Sequence, residues 1–153
     1  EEILKFSILY YFILREKEFN EPMDGIVYGV TASLGFATLE NIDYVFNMDW
    51  GGVVTSQDVA FYRSFSAIPL HGLCGVIMGF NFGKYVFTSD TKYLSYSLLA
   101  PILVHGFYNF IVGYNFLLAL LIIIIALIFS IKLHSSLKNL QKLKRNERET
   151  KKI

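Results

Sequence analysis

Phe116 to Ile131 reads FLLALLIIIIALIFSI, an unbroken apolar run without a charged side chain. Lipid is the natural solvent for such a run. There, every backbone N–H and C=O must find its partner inside the segment, so the run has to be a helix. Three further stretches of 22 residues lie upstream: Gly25 to Phe46, Phe61 to Phe82 and Tyr93 to Tyr114. At about 1.5 Å per residue each reaches across the roughly 30 Å hydrocarbon core. Ile3 to Leu14 is too short to span alone and would complete a helix begun upstream. The chain opens on Glu1-Glu2 without an initiator Met, which leads us to expect preceding sequence. The expected fold is an all-α polytopic transmembrane helical bundle with about five spans.

Composition agrees with that reading. Of 153 residues, 54% are hydrophobic and 18% charged, against roughly 25% charged in soluble domains. With 14 Lys+Arg facing 13 Asp+Glu, no basic nucleic-acid surface is expected. A single cysteine, Cys74, reads as a small buried apolar residue.

The charges are unevenly placed. From Lys132 to Ile153 there are 10 charged residues in 22, which divides the chain into a membrane core, 1–131, and a basic tail, 132–153. Arg15 and Lys17, Lys84 and Lys92, and the tail all fall on one side of alternating crossings, while the loop from Asn47 to Ala60, with Trp50, has no basic residue. By the positive-inside rule the basic side is cytoplasmic and the protein is a multi-pass cell-membrane protein. Leu133, Leu137 and Leu140 share one face of an expected helical extension in the tail. Small residues recur every fourth position as Gly25, Gly29, Ser33 and as Gly75, Gly79, Gly83. Such stripes let helices pack closely in lipid.

Ionisable groups inside spans are costly and mark function. Counting from the basic side, Glu2 lies 13 residues from Arg15, Glu40 16 from Asp24, His71 12 from Gly83 and His105 13 from Lys92. All four then sit about 18 to 24 Å from that face, in one layer. His105 and Asn109 share a helical face, as do Glu1 and Lys5. One of Glu1 and Glu2 is thus expected to pair with Lys5 while the other faces the site. Asp43 and Arg63 fall near the outer ends and read as interfacial.

Two imidazoles with two or three carboxylates suit metal binding or proton movement. A zinc site with His71, His105 and Glu40 as ligands would leave one position open for water, with Glu1 or Glu2 as general base. Without metal, a desolvated carboxylate would activate water while His105 and Asn109 stabilise the oxyanion. The sequence contains no HExxH, GxSxG, GxGD, Walker A or GxGxxG.

Glu1-Glu2-x-x-Lys5, Phe36-Ala37-x-x-Glu40-Asn41, Pro69-x-His71 with Gly75, and His105-x-x-x-Asn109, in that order, resemble the PrsW family of intramembrane proteases. The likeness covers Glu1 to about Asn115. It extends to glutamate-type CAAX-prenyl endopeptidases, whose EExxxR, FxxxH and HxxxN pattern is echoed with Glu40 where that group has His. The resemblance implies a bacterial intramembrane endopeptidase. Such enzymes carry out regulated proteolysis of single-span membrane proteins such as anti-sigma factors, at or near the outer face and among membrane lipids. It assigns catalytic or metal-binding roles to Glu1, Glu2, Glu40, His71 and His105, and supporting roles to Asn41 and Asn109. Metal-dependent and glutamate-only mechanisms both remain open. The competing expectations are a proton-linked transporter and a non-enzymatic scaffold that binds transmembrane helices.

Overall fold

A computed structural model describes residues 1–49, 51–52 and 54–150. Trp50 and the last three residues of the basic tail therefore lie outside the described residues. The elements in chain order are α1 (Glu2–Tyr11), a 3-10 turn (Ile13–Arg15), α2 (Pro22–Ile42) continuing into a π turn (Asp43–Asn47), α3 (Ser56–Phe65), α4 (Ala67–Thr88), α5 (Thr91–Val112) and α6 (Phe116–Thr150). Among the described residues there is no strand.

Helices α2 and α3 start where local chemistry directs. Pro22 opens α2, where its missing N–H is harmless, and Asp24 Oδ2 accepts from the Glu21 backbone N–H at 2.7 Å. Thr55 and Asp58 form the reciprocal box that opens α3, with Thr55 N–H to Asp58 Oδ2 at 3.0 Å and Asp58 N–H to Thr55 Oγ1 at 3.2 Å. Ser89, with φ 59°, ends α4 in the left-handed region.

Among the described residues, three helical stretches are long and apolar enough to cross a membrane: Ser56–Thr88, which takes in both α3 and α4, Thr91–Val112 and Phe116–Lys142. The two other expected spans are not among them. Helix α1 has 10 residues, a rise of about 15 Å. Helix α2 has the length, at 21 residues, but carries Asp24 and Glu40. The expected continuous span Phe61 to Phe82 is broken at Ser66, whose backbone leaves the helix at φ −124°, ψ −74°. Pro69, three residues on, has no N–H for the Phe65 carbonyl and its ring crowds that carbonyl, while the Ser66 hydroxyl donates to the Tyr62 carbonyl at 2.7 Å. At the other end, α6 runs unbroken through residue 131 into the basic segment, and Leu137 is fully buried against Ile26 and Phe80.

Helix α4 is the axis of the bundle and packs most extensively on α2, then on α5 and α6. The two small-residue stripes make the closest seam. A Cβ on Gly79 would strike the Gly25 carbonyl and lie 2.8 Å from Ile26 Cα, and one on Gly75 would lie 2.8 Å from Val30 Cα. Ser33 Oγ crosses the same seam and donates to the His71 carbonyl at 2.6 Å, which ties α2 to α4 at His71.

Gly79→Ala should therefore destabilise the bundle by about 1–3 kcal/mol, the usual scale of overpacking. Gly35→Ala, where a Cβ meets nothing within 4 Å, should leave stability unchanged or slightly raised. Thermal unfolding of the full-length protein in detergent checks both, and equal midpoints would contradict the tight seam.

Candidate functional site

Five helices bring ionisable side chains to one buried chain of contacts. It starts on α3, where Arg63 Nη2 donates to Glu40 Oε2 at 2.8 Å and Arg63 Nε donates to Asn41 Oδ1 at 2.6 Å. Glu40, near the end of α2, lies with Oε2 2.8 Å from His71 Nε2 on α4. The other nitrogen of that ring, Nδ1, is 2.9 Å from Lys5 Nζ on α1. Lys5 Nζ donates to Glu2 Oε1 at 2.6 Å, and Glu2 Oε1 is 2.7 Å from His105 Nδ1 on α5. The imidazoles meet edge to face with centroids 4.8 Å apart.

Burial is deep at the centre. Lys5 is 0% exposed, His71 1%, and Glu2 and His105 5% each. An ammonium taken out of water must be neutralised and hydrogen-bonded to be tolerated. Lys5 meets this demand with Glu2, with Glu1 Oε2 at 3.8 Å, and with the Phe36 ring 5.2 Å from Nζ. Glu1 is the most open carboxylate of the group, its side chain 31% exposed. It lines a cavity of about 280 Å³ together with Glu2, Ile3, Ile102, His105, Gly106 and Asn109.

The hydrogen-bond partners of His71 fix its tautomer. An ammonium only donates, so Nδ1 accepts from Lys5, and the ring proton on Nε2 is donated to the Glu40 carboxylate. His71 is therefore neutral, and its Nδ1 lone pair faces the centre.

Of the residues read from the sequence, the structure brings Glu1, Glu2, His71 and His105 together. Each of these four offers a ligand atom, all within 4.8 Å of one another. Glu40 stands outside this group, behind His71 on the ring nitrogen that faces away from it. Asn109 lines the mouth of the cavity, and Asn41 holds Arg63. Sequence reasoning missed Arg63, read as an interfacial charge, whereas its guanidinium is bonded to Glu40 and lies 4.0 Å from the Tyr44 ring centre. The signal was present: Arg63 is the one basic residue between Lys17 and Lys84, and so the natural counter-charge for Glu40. Lys5 is also more central than its pairing with a glutamate implied, since it joins α1 to His71.

The donor set fits a divalent ion. Two imidazole nitrogens and two carboxylates are the ligand types of zinc. Glu2 Oε2 is buried without a hydrogen-bond partner among the described residues, an acceptor left open at the cluster. The carboxylate behind His71 supplies the outer partner that ligating histidines usually have.

Helices long and apolar enough to cross a membrane, gathered around one buried Glu/His cluster, define an α-helical integral membrane protein. Comparison with known proteins narrows the class: residues 1–133 match the PrsW family of intramembrane metalloproteases, and the chain belongs to that family. It is 46% identical over 114 residues to Protease PrsW of Bacillus subtilis (strain 168), covering 72% of this chain and 49% of that protein. It is 41% identical over 113 residues to Protease PrsW of Geobacillus kaustophilus (strain HTA426), covering 72% and 47%. To Protease PrsW of Clostridioides difficile (strain 630) it is 34% identical over 159 residues, covering 100% and 63%. The chain thus spans about half the length of the first two relatives and under two thirds of the third. No solved structure matches it.

Proposed function

We propose that this chain carries the catalytic centre of an intramembrane metalloprotease that hydrolyses a peptide bond in a single-span membrane protein, an anti-sigma factor being the type of substrate. The observation that supports the reading is the convergence of Glu1, Glu2, His71 and His105 at one buried cluster, beside a cavity that Glu1, Glu2, His105 and Asn109 help to line. His71 through Nδ1, His105 and Glu2 would hold the ion, with zinc the best match to the donors. When bound, such an ion polarises a carbonyl and lowers the pKa of water.

The chain's own residues supply the rest. Glu1, at the open edge of the cluster, takes the proton of the attacking water and passes it to the leaving amine. Asn109, one helical turn beyond His105 on the cavity wall, donates to the carbonyl oxygen as negative charge develops there. Glu40 fixes the His71 tautomer, and Arg63 holds Glu40 in place. The basic segments are cytoplasmic in this reading, which puts the site in the outer half of the bilayer.

Reconstituted full-length protein with a single-span substrate tests the reading. Cleavage that stops on chelation and returns with zinc is the expected result, and chelator-resistant cleavage would favour the glutamate-only mechanism. The outer contacts give a further test. Removing an outer partner of a ligating histidine typically lowers metal affinity about 10- to 100-fold. Glu40→Ala, which removes that partner from His71, should lose zinc affinity in that range, and Arg63→Gln, which acts on His71 only through Glu40, should lose less. Titration of the metal-free protein checks this, and unchanged affinity in Glu40→Ala would remove Glu40 from the site.

A further inference from the structure

We propose that the Lys5 ammonium is a built-in cation that holds the ligand cluster assembled when no divalent ion is bound, and that a divalent ion enters by displacing it. The inference rests on the metal-centre reading above. Its starting point is position: Lys5 Nζ lies 2.6 Å from Glu2 Oε1, 2.9 Å from His71 Nδ1 and 3.8 Å from Glu1 Oε2. Three of the four clustered residues thus already surround a positive charge, and that charge is shut off from water, with Lys5 0% exposed.

Chemistry makes the substitution plausible in detail. Because the ammonium has no acceptor, His71 must present its Nδ1 lone pair to it, with the ring proton held on Nε2 by Glu40. A metal needs the same neutral tautomer and the same lone pair. Lys5 therefore keeps His71 ready for a metal. It also pairs with Glu2 and offsets the repulsion between the Glu2 and Glu1 carboxylates.

Both cations cannot stand there at once. Zinc binds such nitrogen and oxygen ligands at about 2.0–2.2 Å, and an ammonium 2.6 and 2.9 Å from those atoms would lie against it. Lys5 has somewhere to go: Glu1 Oε2 lies 3.8 Å from Nζ, and the centroid of the Phe36 ring is 5.2 Å away. One short swing of the side chain would leave Glu2 and His71 free while keeping the charge paired.

The test is zinc titration of the metal-free full-length protein in detergent, with Lys5→Met and, should that variant not fold, Lys5→Gln. Helical circular dichroism and monodisperse elution establish folding. Removing the competing charge should tighten zinc binding by about tenfold or more, the scale of an interaction between charges a few ångströms apart. Lys5→Arg keeps the charge and should bind zinc no more tightly than the wild type. If the wild type binds zinc and the neutral variants bind no more tightly, the displacement idea is overturned while the metal centre stands. If neither the wild type nor the neutral variants bind zinc, both ideas fall.

Discussion

Glu1→Gln is expected to lower the proposed substrate cleavage by the full-length protein by about 10²- to 10⁴-fold, the range for loss of a positioned general base, while leaving zinc binding nearly intact. Glu2→Gln is expected to lose both. The two residues are adjacent in sequence, yet their surroundings differ. Glu2 is 5% exposed and shares Oε1 between Lys5 and His105, whereas Glu1 opens onto the cavity with a side chain 31% exposed. A ligand must be buried and held on several sides. A base must reach both the substrate and water. Parallel measurement of zinc content and single-turnover cleavage separates the roles. If Glu1→Gln lost zinc and Glu2→Gln kept it, the assignment would be reversed.

The second large effect is expected at the histidines. His71→Ala and His105→Ala should each abolish stoichiometric zinc and reduce cleavage to background, because each removes one of the two nitrogen donors. Their structural consequences should differ. His71→Ala also strips Glu40 of its 2.8 Å partner and Lys5 of its 2.9 Å acceptor, in the heart of α4. His105→Ala leaves those contacts alone and removes the 2.7 Å bond to Glu2, the 3.6 Å contact with Glu1 and the edge-to-face contact with the His71 ring. His71→Ala should accordingly show the larger fall in thermal midpoint in the metal-free state. Equal midpoints would mean that the chain through His71 contributes little to holding α1, α2 and α4 together.

Much of this arrangement is legible in the sequence because lipid punishes charge. Glu2, His71 and His105 stand out against apolar surroundings, and helical rise alone puts them at one depth. The glycine stripes likewise announce a close-packing face on α2 and another on α4, and the structure pairs the two. What escaped was decided by side chains acting on their own backbone or across sequence distance. The helix breaks at Ser66, three residues before Pro69, which has no N–H for the Phe65 carbonyl and whose ring crowds it. That break separates α3 from α4, and Arg63, on α3, bonds to Glu40. The reach of Lys5 was hidden for another reason. Helical spacing placed it with Glu1, but a long flexible stem lets it favour Glu2, three residues away, and bridge to His71 on another helix.

The central claim is that the buried Glu/His cluster is a metal centre, and metal analysis of the purified full-length protein tests it most directly. The account predicts about one equivalent of zinc per chain in the wild type and essentially none in the His71→Ala, His105→Ala double variant. A wild type that cleaves substrate at full rate with no bound metal would contradict it.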